Sequence, residues 1–235
     1  MGKVPRILVF IPAYNEQDSI GAAIKGLVRQ CPDYDYVVID DGSTDRTREI
    51  CERNGHPVIS LPINLGLDGV FRTGIQYAYR SGYDIAVPFD GDGQHNAEYL
   101  PVMADTLMQG YDIVIGSRFL EKRKSGGVRA AGSALISFFF RMTTGQSLTD
   151  PTSGMRMVTR NVMRQIAANL NCGPEPDTWA YFVKNGAKLK EVQVEMNERR
   201  GGKSFFTPGR SIFFMLRICI SIIFIQFFRK GGNPF

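Results

Sequence analysis

Four polar clusters carry the residues best suited to chemistry, and each follows a short apolar run. They are Pro12-Ala13-Tyr14-Asn15-Glu16, Asp40-Asp41-Gly42-Ser43-Thr44-Asp45, Asn64-Leu65-Gly66 and Asp90-Gly91-Asp92-Gly93-Gln94-His95. Taken singly, Ser43 or Thr44 caps a helix and an Asp at a strand end is ordinary turn chemistry. Taken together, five carboxylates at one sheet edge repel unless something cationic gathers them. A turn at Gly91 and Gly93 lets Asp92 and Gln94 approach one ion alongside Asp90. Few oxygen ligands suit Mg²⁺ or Mn²⁺ that keeps waters and binds a substrate diphosphate. No His/Cys cluster supports zinc, and no GxxxxGK[ST] or GxGxxG loop follows a strand.

The elements that must position these clusters alternate. Apolar runs at 6–12, 36–39, 58–61, 85–89 and 113–115 read as strands, and helical spacing marks 19–30, 46–54, 70–80 and 97–109. This pattern predicts an α/β fold with a mostly parallel central sheet flanked by helices, whose ligands bind where the carboxyl ends of the strands open. Beyond Ser117, residues 121–128 form a charged, Gly-containing loop and a candidate flap. Helices are expected at 129–142, 161–170 and 177–185, and 188–196 alternates like a strand.

Composition bounds the rest. The chain has 235 residues, 43% hydrophobic and 22% charged, which excludes disorder and a multi-span membrane protein. Four scattered cysteines without a CxxC pair argue against a disulfide framework. The net charge of +5 is uneven: residues 181–235 hold 10 Lys/Arg against 3 Asp/Glu, and the rest is slightly acidic. A basic end predicts an anionic partner there. Residues 211–228 hold 14 apolar residues in 18, flanked by Arg210, Arg229 and Lys230. That apolarity favours a membrane surface over nucleic acid. A helix over this stretch is about 27 Å long, close to a hydrocarbon core, so it spans the bilayer, dips into it, or packs against the protein.

VFIPAYNE, VVIDDGSTDRT, NLGLDGVFRTG and PFDGDGQH, in this order and spacing, resemble family 2 of the glycosyltransferases, with its GT-A nucleotide-sugar-binding fold. GSR (116–118), DPTSGMR (150–156) and RRGGKS (199–204) are similar to its polyprenyl- and dolichyl-phosphate sugar synthase branch. The PEPD element and hydrophobic tail look most like small bacterial enzymes loading N-acetylglucosamine or glucose onto undecaprenyl phosphate. The resemblance implies a GT-A catalytic domain over 1–207 and a membrane-associating segment over 208–235. It also implies that Pro12, Ala13, Tyr14, Glu16, Asp41 and Asp90 bind the nucleotide-sugar, UDP favoured. Asp90, Asp92 and Gln94 hold the metal, and Asp40 is structural. The family's acidic pair has its nearest counterpart in Glu175 and Asp177, here separated by Pro176.

Arginine placement favours a phosphate acceptor, because guanidinium groups bind phosphate bidentately. Arg118, Arg129, Arg156, Arg199 and Lys203, with Ser204, lie in loops around the expected site. A lipid phosphate is already anionic and needs no base. A saccharide hydroxyl needs one, and Glu175 or Asp177 is then the candidate. The expectation is an inverting, metal-dependent transferase at the cytoplasmic membrane face, acting on polyprenyl phosphate. A small membrane protein or a second copy is a further candidate partner. The competing readings are a transferase for lipid-linked saccharide, a nucleotidyltransferase, and a non-catalytic binding module. His95 is expected either as a satisfied turn residue or as a ligand, and Trp179 as a packing residue.

Overall fold

The computed structural model describes residues 4–122, 127–169, 172–197 and 215–224. Its centre is a seven-stranded sheet in the order β3-β2-β1-β4-β6-β5-β7. These strands are β1 Ile7–Ala13, β2 Asp35–Asp40, β3 Val58–Ser60, β4 Ile85–Pro88, β5 Ile113–Ser117, β6 Arg156–Thr159 and β7 Leu189–Gln193. Pairing is parallel except at β6, which runs antiparallel to both β4 and β5. The helices are α1 Ile20–Gln30, α2 Thr47–Arg53, α3 Gly66–Arg80, α4 Leu100–Met108, α5 Val128–Thr144, α6 Arg160–Ala168 and α7 Pro176–Lys184.

Strand alternation divides the core into two layers. Leu8 and Phe10 of β1 face one cluster with Phe71 and Ile75 of α3, Phe140 of α5, and Trp179 and Phe182 of α7. Ile7, Val9, Ile11 and Ala13 face the other, with Ile20, Ile24 and Leu27 of α1 and Leu100, Met103 and Leu107 of α4. Helices therefore cover both faces of a mostly parallel sheet, as the alternation of runs predicted.

Most elements fall within a few residues of expectation, with β7 ending at Gln193 rather than 196; two features differ for a stated reason. α3 begins at Gly66 rather than 70, because its first amides are held by a carboxylate from another loop. β6 starts at the last residue of the DPTSGMR stretch, where no apolar run marks a strand. It is four residues long, begins with Arg156, and is recognisable only through its two neighbours. Of the apolar C-terminal segment, residues 215–224 are described and are helical. Among the described residues no helix is long and apolar enough to cross a membrane. Instead Ile218, Cys219 and Ile222 join the core layer of α3, α5 and α7.

Candidate active site

β2, β1 and β4 are neighbours, so their carboxyl ends open side by side. Ala13 is in register with Asp40, and Phe10 with Pro88. The Asp41 amide donates to the Ala13 carbonyl at 2.8 Å, and the Phe89 amide to the Phe10 carbonyl at 3.0 Å. Asn15, at φ 54°, ties the first loop to the second. Its Oδ1 accepts from the Thr44 amide at 2.8 Å, and its own amide donates to Ser43 Oγ at 3.0 Å. The Glu16 amide donates to Thr47 Oγ1 at 2.8 Å. A left-handed backbone is uncommon outside glycine, and here local bonds hold it. Tyr14 is exposed above this joint, while Ala13 is buried beneath it. A Cβ at Gly91 would lie 3.1 Å from the Pro12 carbonyl oxygen, so the third loop passes close under the first.

Backbone amides, rather than a cation, settle much of the carboxylate crowding. Asp40 Oδ1 accepts from the Ser43 amide at 3.1 Å. Asp41 is 4% exposed and accepts from the amides of Leu65 at 2.7 Å and Gly66 at 2.9 Å. That carboxylate starts α3, where N-terminal amides and the helix dipole favour an anion. Burial pushes the Asp41 carboxyl above its ordinary value; the two amides work against this and nearby Asp40 adds to it. A base or ribose contact through Asp41 must share those two bonds. For Asp45, burial is outweighed by the Thr47 hydroxyl and by amides including that of Gln17, and its carboxyl is pulled down.

Asp90 and Asp92 are left at the third loop. Asp92 is buried and accepts from the Gln94 amide at 2.9 Å, which curls the loop so that 92 and 94 lie close. The Asp90 amide donates to His95 Nδ1 at 2.9 Å, which places the ring proton on Nε2, 3.3 Å from Asp90 Oδ2. His95 is thus a buried prop that holds Asp90 from two sides. Gly154 keeps this contact open, since a Cβ there would lie 3.3 Å from His95 Nε2. Among the described residues no three His, Cys, Asp or Glu side chains are grouped as a ready metal site. Two carboxylates and an amide side chain nonetheless fit a hard divalent ion that takes its other ligands from water and substrate.

Arg118, at the end of β5, donates Nε to Asp150 Oδ2 at 2.7 Å and Nη2 to Asp150 Oδ1 at 2.9 Å. Asp150 is fully buried, and its hydrogen bond pushes the Arg118 guanidinium above its ordinary value. Behind it, Glu191 of β7 accepts from the amides of Thr149 at 2.7 Å and Asp150 at 2.9 Å. Spacing in the sequence did not flag Asp150 or Glu191 as partners: Asp150 reaches Arg118 from the loop before β6, and Glu191, beside Ile115 in the β5–β7 pairing, holds the amides of that loop. Arg156 is not at the surface. It is buried, donates to the carbonyls of Pro174 and Pro151, and its guanidinium carbon lies 5.4 Å from the centre of the Trp179 ring. Burial pulls it down to about 10, against the opposing pull of Asp150, Glu175 and Asp90. Expected as a phosphate ligand, it instead braces the loops from below.

Glu175 and Asp177 open α7 and line a cleft of about 220 Å³ with Asp68, Gly173, Arg217, Ile218 and Ser221. Arg217 reaches Glu175 Oε1 at 3.4 Å, and Ser221 Oγ donates to Asp177 Oδ2. Burial, then Asp177 and Asp68, push the Glu175 carboxyl upward. Arg199, Lys203 and Ser204, residues 123–126 of the expected flap, and the Arg129 side chain lie outside the described residues.

A glycosyl transferase family 2 model matches residues 8–167. The chain is 30% identical over 220 residues to the undecaprenyl-phosphate mannosyltransferase of Micrococcus luteus, covering 87% of this chain and 88% of that protein. It is 29% identical over 217 residues to the polyprenol monophosphomannose synthase of Mycolicibacterium smegmatis, covering 85% and 80%. A protein of Methanocaldococcus jannaschii named only MJ1222 is 33% identical over 196 residues, covering 80% of each. In fold the chain is similar to glucosyl-3-phosphoglycerate synthase of Mycobacterium tuberculosis, solved with Mn²⁺, UDP-glucose and phosphoglyceric acid. That similarity has a TM-score of 0.66 at 18% identity, over 94% of this chain and 79% of that one. With Asp90 and Asp92 at the open edge of a GT-A-like sheet, and the family model spanning that edge, this chain belongs to glycosyltransferase family 2 and is a glycosyltransferase.

Proposed function

We propose that the protein moves a sugar from a nucleotide-sugar to polyprenyl phosphate at the cytoplasmic membrane face, inverting the anomeric carbon. The catalytic domain covers 1–207, with 208–235 associating with the membrane. UDP is the favoured nucleotide and N-acetylglucosamine or glucose the favoured sugar, with mannose drawn in by the two named relatives. The observation that carries the choice of acceptor is the state of the acidic pair. Glu175 is engaged by Arg217 and Asp177 by Ser221, so either would give up a contact with the C-terminal helix before serving as a base. A phosphate acceptor asks for none.

In this reading Pro12, Ala13, Tyr14 and Glu16 shelve the base and ribose, and Asp41 holds α3 and the second loop in place. Asp90, Asp92 and Gln94 hold Mg²⁺ or Mn²⁺, which supplies electrostatic stabilisation of charge growing on the departing diphosphate. His95 fixes the Asp90 carboxylate for that task. Arg118, clamped by Asp150, turns its remaining donor edge toward the acceptor phosphate, with Arg129, Arg199 and Ser204 as further candidates. An acceptor oxygen attacks the anomeric carbon from the face opposite the diphosphate. The new C–O bond forms as the old one breaks, and its electron pair leaves on the nucleoside diphosphate.

A donor-by-acceptor assay tests the reading. Reconstituted protein is offered labelled UDP-N-acetylglucosamine, UDP-glucose or GDP-mannose with a short-chain polyprenyl phosphate and Mg²⁺ or Mn²⁺. Label is expected in an acid-labile lipid. Asp92→Ala is expected to lower transfer by about a hundredfold or more, the scale of losing one electrostatic stabiliser, while the melting curve keeps its shape. Wild-type turnover in Asp92→Ala sinks the metal assignment. Label appearing only in a saccharide acceptor sinks the phosphate one and returns Glu175, whose raised carboxyl suits a base, to that role.

A further inference from the structure

We propose that Arg217 and Ser221 are specificity-determining residues: by occupying Glu175 and Asp177 they deny water a general base, and so protect the nucleotide-sugar from hydrolysis. The inference deepens the phosphate-acceptor reading above and rests on it. Residues 215–224 read Met-Leu-Arg-Ile-Cys-Ile-Ser-Ile-Ile-Phe, and Arg217 and Ser221 are the only charged or hydroxyl-bearing side chains among them. They stand four residues apart, so they are neighbours on one face of the helix. Both go to the acidic pair. Arg217 Nη2 reaches Glu175 Oε1 at 3.4 Å, and Ser221 Oγ donates to Asp177 Oδ2. Docking the helix does not call for them, because Ile218, Cys219 and Ile222 already join the core layer of α3, α5 and α7. The Arg217 side chain is 58% exposed, and an ion pair so exposed adds little to stability. A polar pair in an otherwise apolar helix therefore serves another task.

The acidic pair lies where a base can act. Asp68, in the first turn of α3, lines the same cleft, two residues after the Gly66 amide that Asp41 holds. A Cβ at Gly173 would overlap both Asp68 Oδ1 and Glu175 Oε2, so the two carboxylates approach one point of the backbone. From below, Arg156 donates to the Pro174 carbonyl, next to Glu175, and to the Pro151 carbonyl, next to the Asp150 that clamps Arg118. The cleft is thus joined to the second loop and to the phosphate clamp. Its volume of about 220 Å³ admits water. Burial raises the Glu175 carboxyl, which suits a proton acceptor. With that carboxylate released, a water oxygen bonds to the anomeric carbon as the carbon–oxygen bond to the diphosphate breaks. The water proton passes to Glu175, and the electron pair of the broken bond leaves on the nucleoside diphosphate. With Arg217 and Ser221 in place this route is suppressed, whereas a phosphate acceptor needs no base and is unaffected.

The test measures nucleoside diphosphate released by the full chain from UDP-N-acetylglucosamine, UDP-glucose and GDP-mannose in turn, with Mg²⁺ or Mn²⁺ and no acceptor. Arg217→Met is expected to raise this hydrolysis about tenfold or more, within the reach of one general base. Adding Glu175→Gln to Arg217→Met should return it to the wild-type level. Ser221→Ala, with Asp177→Asn added, is an independent cycle on the other carboxylate. Arg217 is exposed, so its replacement leaves the fold intact, which cooperative melting checks. A merely loosened helix also lets water in, but that leak does not depend on the carboxylates. Hydrolysis that persists after Glu175→Gln and after Asp177→Asn therefore overturns the proposal. Hydrolysis at the wild-type level in both Arg217→Met and Ser221→Ala overturns it too. If wild type labels lipid while neither variant leaks, the inference falls and the phosphate reading stands. If wild type labels only a saccharide, the phosphate reading falls, whatever the acceptor-free assay gives.

Discussion

Arg118 shows how a functional arginine is held by a partner that is far away in sequence. Its fork is matched bidentately to Asp150, which has no exposure to water. Arg118→Ala removes the bidentate partner of a buried carboxylate, and is expected to cost about 3 kcal/mol. Asp150→Asn should cost less, because the freed guanidinium is part-exposed and can hydrate. Chemical denaturation of both variants checks the asymmetry, and equal costs would mean that Asp150 is not the vulnerable member. The arginine was legible from its GSR motif and Asp150 from DPTSGMR, but their pairing, and any role for Glu191, were not, since these arise from contacts between distant parts of the chain. The same holds for His95. Its place next to the DGD motif left two readings open, and only the Asp90 amide on Nδ1 decided between them.

At the scale of elements, α3 sets one wall of the site. It starts where Asp41 receives the Leu65 and Gly66 amides, and it lies against β1 at Gly74. A Cβ at Gly74 would sit 2.4 Å from the Phe10 ring, which is fully buried and cannot swing away. Gly74→Ala gains about 1 kcal/mol in helix propensity but forces overpacking of about 1–3 kcal/mol, toward the upper end where nothing can move. The expected outcome is a net loss near 2 kcal/mol and a melting temperature several degrees lower. A gain in stability would show that α3 slides freely on the sheet. Most elements were readable from their period, because β1, β2, β4 and the amphipathic helices each bury a regular face. β6 was not, since four residues starting with an arginine have no period to read. The start of α3 was also hidden, because the carboxylate that caps it comes from another loop.

For the whole molecule, the C-terminal helix and the catalytic body share a titrating contact at Glu175. Its carboxyl is raised, chiefly by burial and then by Asp177 and Asp68. A group with a raised folded value binds its proton more tightly when folded, so its ionisation weighs against the fold. That penalty is absent below the ordinary value of 4.5 and grows as pH rises through the folded one. The part-exposed Arg217 pair offsets little, about 0–1 kcal/mol. Glu175→Gln should therefore melt higher than wild type near neutral pH, and the difference should vanish as the pH falls below 4.5. Melting curves across that range decide it; a lower melting temperature at neutral pH would make the Arg217 contact dominant.

By itself, the amino-acid sequence determined that strands and helices alternate, that carboxylates cluster after the strands, and that the C-terminal stretch is apolar with basic flanks. Those are local properties: period, turn chemistry and composition are written in consecutive residues. Tertiary structure decided that Asp41 is spent on the start of α3 and that Asp90 and Asp92 share one loop braced by His95. It also buried Arg156, clamped Arg118, and turned one side of residues 215–224 into core. Each of these depends on which groups from distant parts of the chain are brought within hydrogen-bond or van der Waals reach, and sheet pairing sets that.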